Sequence, residues 1–218
     1  MDFEGIGMNS SVFELIEEYS KEQMDKFSLY GWPHVQRVLR LCLKLAEFEG
    51  GDVDLDVLKA AALLHDIAKH NQRSNPSIDH GAAGAEMAEA FLRNCGFPES
   101  KIDDVCHAIR AHTHVEEPAS IEAKILHDAD FLDKLGAVGI ATIFVKACLT
   151  NQTIEAVLEN FYAEEQESYV IKHIRWIKKP HLYTETAKNI AEKRNKTVFT
   201  FFNQLRKEVN LEDLEKEI

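Results

Sequence analysis

The chain has 218 residues, of which 45% are hydrophobic and 28% are charged, so it has enough apolar material for one substantial core. The formal net charge of -12 disfavours a nucleic acid polymer as partner, because such binding depends on Lys and Arg displacing counterions. Small anionic substrates remain possible where a metal or a few basic side chains supply local positive charge.

The amino-terminal stretch carries acidic residues where a signal peptide would carry basic ones, and no apolar run approaches the length of a membrane span. These features predict a cytoplasmic protein without a membrane partner. Apolar residues recur at helical spacing along nearly the whole chain, and period-two alternation bounded by turn signals is missing. The predicted fold is therefore all-α, a single domain over residues 1–218.

The first predicted helix covers about Val12 to Lys26, and Pro33 suits the first turn of the second. Asp54 or Asp56 can cap a third helix, which runs from Val57 to Leu64. This third helix is apolar on nearly all sides and is therefore expected at the centre of the fold.

The polar stretch from Asn71 to Asp79 is predicted to be a loop, and a helix follows from about His80. Small residues in that helix allow another helix to approach closely; they are Gly81, Ala82, Ala83, Gly84, Ala85 and Ala88. The next helix has an apolar inner face made of Ile102, Val105, Cys106 and Ile109. Ser120 is a suitable N-cap for the helix after that.

Beyond a break at Gly136 and Gly139, an apolar helix is predicted from Ile140 to Leu149. The pattern is helical again from Thr153, and a long final helix is expected over about Thr184 to Glu208. Four cysteines show no CxxC pairing and are expected to be reduced core residues; they are Cys42, Cys95, Cys106 and Cys148.

Histidines are concentrated in one region: seven of the ten lie between positions 65 and 127. His65 and Asp66 interrupt the most apolar predicted helix. An ionised carboxylate buried without a partner costs several kcal/mol, so Asp66 needs a neutralising group. Either Asp66 pairs with a buried Arg or has a capping role, with His65 bonded to a carbonyl, or a divalent cation is ligated by both residues.

Two further candidate ligands, His34 and Asp130, also lie beside apolar residues. Together with His65 and Asp66 they resemble the HD phosphohydrolase superfamily, whose pattern is a His, then a His-Asp pair, then a distant Asp, on helices of one bundle. The resemblance extends from about Trp32 to Thr150 and includes the segments His34-Val35-Gln36-Arg37-Val38 and Leu64-His65-Asp66-Ile67-Ala68-Lys69. It implies a motif-bearing core over about 32–150 and a helical extension over 151–218.

The resemblance implies metal ligation by His34, His65, Asp66 and Asp130, with Mn, Mg, Fe, Co, Ni or Zn as the divalent ion. Some relatives add two histidines, and His80 and His112 lie where a second metal would need them. Alternatively, His80 caps its helix, and His112 and His114 belong to a surface loop.

Three charged residues have further expected roles. Lys69 can reach a substrate phosphate or act as a cation near a helix C-terminus, and Arg37 can contact substrate or Asp133. Asp133 is expected to orient a ligand or hold a basic side chain. The basic run from Lys172 to Lys179 either guides an anionic substrate or forms a solvated helix face.

The expected activity is hydrolysis of a phosphoester of a small phosphorylated molecule, such as a nucleotide, by metal-activated water with Asp66, Lys69 and Arg37 as catalytic residues. A phosphomonoesterase and a phosphodiesterase are both compatible with these residues. Two other functions stay open: a non-catalytic HD module that binds metal and nucleotide, and a di-iron HD oxygenase, which requires a richer ligand set.

Overall fold

The computed structural model describes residues 10–25, 29–113, 116–163 and 181–214. These ranges contain α-helices, one short 3-10 helix at Glu212–Leu214 and no β-strand, which confirms the all-α prediction for them. The α-helices are α1 (Ser10–Met24), α2 (Trp32–Glu49), α3 (Leu55–Leu64), α4 (Lys69–Ser74), α5 (His80–Cys95), α6 (Glu99–Ala111), α7 (Ile121–Asp133), α8 (Gly136–Leu149), α9 (Ile154–Tyr162) and α10 (Glu185–Val209).

The chain divides into two compact units, residues 1–130 and 131–218. The first unit contains α1 to α6 and most of α7, and the second contains the end of α7 and α8 to α10. The single domain with a core over about 32–150 and an extension over 151–218 remains a prediction. None of the described helices is both long and apolar enough to cross a membrane.

Helix α3 forms the centre of the first unit, as its apolar sequence predicts. Its buried residues are Val57, Leu58, Ala60, Ala61, Ala62, Leu63 and Leu64. It packs against α1, α2 and α6. Asp54 is its N-cap, because Oδ1 accepts hydrogen bonds from the backbone N–H groups of Asp56 at 3.0 Å and Val57 at 3.2 Å.

Helices α5 and α6 pack together along the small residues of α5, as predicted. A Cβ on Gly84 would lie 3.5 Å from Ile109 Cγ2 and 3.6 Å from the carbonyl oxygen of His65. The close approach therefore brings α6 and the end of α3 to the same region of α5. Asp79, rather than His80, is the N-cap of α5, since its Oδ1 accepts from the N–H of Ala82 at 2.8 Å.

Two local predictions are wrong. Helix α3 ends at Leu64, and His65 and Asp66 lie in a turn over residues 65–68 instead of inside a helix. The expected loop from Asn71 to Asp79 is partly helical, because α4 covers Lys69–Ser74. None of the residues of α4 is buried. Its sequence therefore lacks the periodic apolar residues from which a helix is predicted.

The second unit is built on aromatic packing among α8, α9 and α10. The rings of Phe161 and Phe202 stack with centroids 3.8 Å apart, and both residues are fully buried. Helix α8 begins at Gly136, four residues before the predicted start. Gly136 has a φ of 65°, a backbone conformation that would be strained in a residue with a side chain. Thr184 caps α10 by accepting from the N–H of Ala187 at 3.3 Å.

The cysteines are all free thiols, as expected, but only half of them are core residues. Cys42 and Cys106 are buried, Cys95 is partly exposed and Cys148 is exposed. Cys148 is near the end of α8. Because α8 is apolar on nearly all sides, its sequence does not show that Cys148 lies on the exposed face. The basic run Lys172–Lys179 lies outside the described residues, as does His114.

Candidate metal centre

The first unit brings the four candidate ligands of the HD pattern close together. His34 lies in the first turn of α2, directly after Pro33, and Asp130 lies on α7. Nε2 of His34 is 3.3 Å from Oδ1 of Asp130 and 3.6 Å from Oδ2 of Asp66. Nε2 of His65 is 3.7 Å from the same Oδ2 atom. All four side chains are buried, with relative exposures of 0–3%.

These residues define the first cluster. One ligand atom from each of His34, His65 and Asp66 lies within 4.8 Å of the others, and the contact with His34 adds Asp130. The cluster thus has two imidazole nitrogens and two carboxylates, a donor set compatible with Zn, Mn, Fe, Co or Ni.

A second cluster forms on the other oxygen of Asp66. Oδ1 lies 3.2 Å from Nε2 of His80 and 3.5 Å from Nε2 of His112. His80 is the first residue of α5 and His112 directly follows α6. Asp66 is therefore shared: Oδ2 faces the first cluster, and Oδ1 faces the second cluster of Asp66, His80 and His112.

Backbone carbonyls set the tautomers of two histidines. Nδ1 of His65 lies 2.8 Å from the carbonyl oxygen of Ala62, and Nδ1 of His112 lies 2.6 Å from that of Ile109. Each Nδ1 is therefore the protonated donor, and each Nε2 carries a lone pair. Both Nε2 atoms are buried and have no hydrogen bond within the described part of the chain. Buried, correctly oriented imidazole lone pairs are what a divalent cation requires, so these residues fit a metal ion.

The protonation states also suit a cation. Burial, the largest influence, lowers the pKa of His65 to about 3 and also lowers the pKa of His80, so both imidazoles are neutral near pH 7. Burial alone would raise the pKa of the Asp66 carboxyl. The neighbouring Lys69 ammonium, together with His65, His112 and His34, outweighs this effect and holds the pKa of Asp66 well below its ordinary value. Neutral imidazoles and an ionised carboxylate are the ligand forms of these side chains.

Lys69 lies against Asp66 and not at a helix C-terminus. It is the first residue of α4, and Nζ is 2.9 Å from Oδ2 and 3.0 Å from Oδ1 of Asp66. The same Nζ is 3.5 Å from Nε2 of His80 and 5.2 Å from the ring centroid of Tyr30. The ring of Tyr30 also contacts that of His34 at a centroid distance of 5.2 Å. Tyr30 was not predicted as a site residue; its signal in the sequence was its position four residues before a candidate ligand.

The other two predicted residues are less closely tied to these clusters. Arg37 lies one turn after His34 on α2 and is partly buried. Asp133 ends α7 in the second unit, where its charge acts on Arg194 of α10: burial lowers the pKa of Arg194 and Asp133 raises it. Arg194 also donates a hydrogen bond to the carbonyl oxygen of Leu132. The charge of Asp133 thus acts on Arg194, and its role in orienting a ligand or holding a basic side chain stays a prediction.

Comparison with known proteins identifies a family and several relatives. Residues 31–135 match the HD domain family. YpgQ of Bacillus subtilis, an uncharacterised protein, is 30% identical over 194 residues, which cover 85% of this chain and 87% of YpgQ. Ribonuclease Y of Borreliella burgdorferi is 39% identical over 89 residues, which cover 39% of this chain and only 16% of that enzyme.

Solved structures share the fold over nearly the full length. A crystal structure of Bacillus subtilis YpgQ in complex with ADP matches with a TM-score of 0.68 and 27% identity, covering 90% of this chain and 94% of YpgQ. A predicted HD-superfamily hydrolase from an uncultured Thermotogales bacterium matches with a TM-score of 0.61 and 29% identity, covering 91% of each chain.

Proposed function

Because the chain belongs to the HD-domain family, we propose that it is a metal-dependent phosphohydrolase that cleaves a phosphoester of a nucleotide or a similar small phosphorylated molecule. The convergence of two buried imidazoles and two buried carboxylates, from α2, the turn after α3 and α7, carries this proposal. Two buried carboxylates need compensating positive charge, and a divalent cation held by all four side chains would supply it.

In this proposal His34, His65, Asp66 and Asp130 hold one divalent cation. When bound there, such an ion acidifies a water molecule and polarises a phosphoryl oxygen. The residues of the chain contribute orientation: the carbonyl of Ala62 fixes the ring of His65, and burial keeps that ring neutral. The burial of all four side chains also limits the access of bulk water, which strengthens their electrostatic interactions.

A nucleophilic side chain is not needed for this chemistry. The thiol of Cys42, which is affected by the charge of Asp130, is also unsuited to act as a nucleophile. Burial, followed by the charges of Asp130 and Asp128, raises the pKa of Cys42 far above its ordinary value. Cys42 therefore stays a neutral thiol, and the reactive species in a cysteine mechanism is the thiolate. Water is the nucleophile that these surroundings favour.

Two observations support this substrate class, the charge of the chain and a relative in complex with ADP. The crystal structure of YpgQ in complex with ADP supports a nucleotide as ligand. Because the chain has a net charge of -12, an anionic substrate depends on local cations, for which Lys69 and Arg37 are the proposed phosphate contacts. Asp66 is proposed to act in catalysis through the metal, and Asp133 to position Arg194.

The test combines metal analysis with hydrolysis assays. The purified protein is stripped of metal, reloaded with Mn²⁺, and assayed with p-nitrophenyl phosphate, bis-p-nitrophenyl phosphate and a panel of nucleotides. We expect Mn²⁺-dependent turnover that His65→Ala and Asp66→Ala each reduce more than about 100-fold, since even residues behind metal ligands contribute about 10–100-fold. His70→Ala and Asp103→Ala alter exposed residues and serve as matched controls that retain activity.

The same experiment separates the alternatives. Tight nucleotide binding without turnover under any metal would identify a binding module and contradict a hydrolase. Oxygen consumption with two bound irons would identify an oxygenase. Turnover that survives both His65→Ala and Asp66→Ala would show that the first cluster is not the catalytic centre.

A further inference from the structure

The ammonium group of Lys69 lies at the carboxylate that the two clusters share, and also beside His80 of the second cluster. Its Nζ atom bonds to both oxygens of Asp66, at 2.9 and 3.0 Å, and is 3.5 Å from Nε2 of His80. The Lys69 side chain is 17% exposed, so the ammonium lies at the edge of the buried site rather than in solvent. It therefore neutralises the carboxylate that the two clusters share.

The ligand atoms of the second cluster also suit a divalent cation. Nε2 of His112 is buried, has no hydrogen bond among the described residues, and lies 3.5 Å from Oδ1 of Asp66. Nε2 of His80 is 3.2 Å from the same oxygen. Three ligand atoms from separate segments of the first unit thus converge within 4.8 Å of one another. Their geometry alone would permit a metal ion.

Lys69 and such a metal ion compete for the same atoms. Metal ligands of these types bind at about 2.0–2.2 Å, so an ion bound to Oδ1 of Asp66 and Nε2 of His80 must lie between those two atoms. Nζ of Lys69 is within 3.5 Å of both atoms. Two cations this close repel each other strongly in a site of low dielectric constant, and they would share the charge of one carboxylate.

Tyr30 favours the position that Lys69 occupies. The centroid of its ring is 5.2 Å from Nζ, within the range of a cation–π interaction. The same ring packs edge-on against His34 of the first cluster. Tyr30 thus stabilises the ammonium beside Asp66 while it contacts the neighbouring cluster.

We propose that Lys69 is the resident cation of the second cluster and blocks a second metal ion, which can bind at Asp66, His80 and His112 only when the ammonium leaves. This inference rests on the proposed function, because it takes the first cluster to be the site of the single tightly bound ion. The protein therefore carries one divalent ion per chain, and Lys69 supplies the positive charge that a second ion would supply.

The test measures how many Mn²⁺ ions bind to each chain, by calorimetric titration and by electron paramagnetic resonance of metal-stripped protein. We expect one tightly bound ion in the wild type. Lys69→Met and Lys69→Gln should bind two, with the second ion at least tenfold tighter than in the wild type and with a spin-coupled Mn²⁺ pair in the spectrum. Lys69→Arg keeps the charge and should stay at one ion.

Two further variants locate the effect. Lys44→Met removes a positive charge from an exposed side chain that pairs with Glu47, and it should bind one ion like the wild type. His112→Gln, added to Lys69→Met, should remove the second ion and leave the first.

The outcomes are distinct. One ion in the wild type and still one in both neutral Lys69 variants would overturn the inference and leave the proposed function intact, as would two equally tight ions in the wild type. Failure of every variant to bind any ion would overturn the inference together with the proposed metal centre. Circular dichroism confirms that each variant is folded.

Discussion

Metal binding should raise the thermal stability of the protein by an amount that can be worked out. The first cluster places the carboxylates of Asp66 and Asp130, only 1% and 3% exposed, beside two imidazoles that come from distant parts of the chain. The unfolded chain has no such arrangement, so a divalent ion binds the folded state. At an ion concentration of about 100 times Kd, linkage adds about 2.7 kcal/mol to the free energy of unfolding.

For a chain of 218 residues, this free energy corresponds to a rise in Tm of about 5–11 °C, since each kcal/mol shifts Tm by about 2–4 °C at this size. Differential scanning calorimetry of metal-stripped protein, with and without Mn²⁺, measures the rise. If the two units unfold separately, the shift belongs to the transition of residues 1–130, which contains all four side chains.

The matched variants are Asp66→Asn, in the cluster, and Asp103→Asn, an exposed carboxylate on α6. Asp66→Asn should lose most of the rise in Tm, and Asp103→Asn should keep it. A full rise in Asp66→Asn would show that the ion binds elsewhere. A rise below about 2 °C in the wild type, at Mn²⁺ concentrations that saturate binding, would refute a preformed buried site.

Two other predictions concern the surroundings of the clusters. Gly81→Ala should destabilise the protein by about 1–3 kcal/mol in urea unfolding, because its Cβ would lie 2.6 Å from Thr113 Oγ1 and 2.8 Å from Thr113 Cγ2. Gly84→Ala, whose Cβ meets only ordinary contacts, should instead be neutral or gain up to about 1 kcal/mol of helix propensity; equal effects would contradict this. The metal-stripped protein should lose stability between pH 7 and pH 5. In the folded state the lowered pKa values of His65 and His80 keep both imidazoles neutral, whereas in the unfolded chain they take up protons over this range. His65 contributes about 2 kcal/mol of this loss, which accumulates from its unfolded pKa near 6.5 down to pH 5. If the free energy of unfolding measured in urea did not change with pH, the imidazoles would not be buried in the neutral form.

The parts of the fold that follow apolar patterning were predictable. The continuous apolar run of α3 indicated a central helix, and Asp54 was one of two candidates for its cap. In contrast, α4 buries nothing and left no pattern, and the break after Leu64 has neither glycine nor proline to mark it. Local sequence preferences do not contain the tertiary contacts that decide such elements.

The candidate ligands could be chosen from residue types and order, but their division into two clusters could not. His80 and His112 were named for a second metal, yet only the packing of α5 against α6 puts both beside Oδ1 of Asp66. The hydrogen bonds that set the tautomers of His65 and His112 depend on backbone geometry at two helix ends. Lys69 was placed near phosphate or a helix end, and its bond to Asp66 became visible only in the turn that joins them.

His65 and Asp66 serve one candidate site although they are adjacent along the chain. Inside an α-helix, consecutive side chains point about 100° apart and do not face each other. In the turn that follows α3, Nε2 of His65 and Oδ2 of Asp66 nevertheless lie 3.7 Å apart. The same turn, through the bond from the N–H of Lys69 to the carbonyl oxygen of Asp66, returns the Lys69 side chain to the carboxylate. His65 itself keeps helical backbone angles, with a φ of -58° and a ψ of -34°, and Lys69 reaches the carboxylate that both clusters share from the first residue of α4.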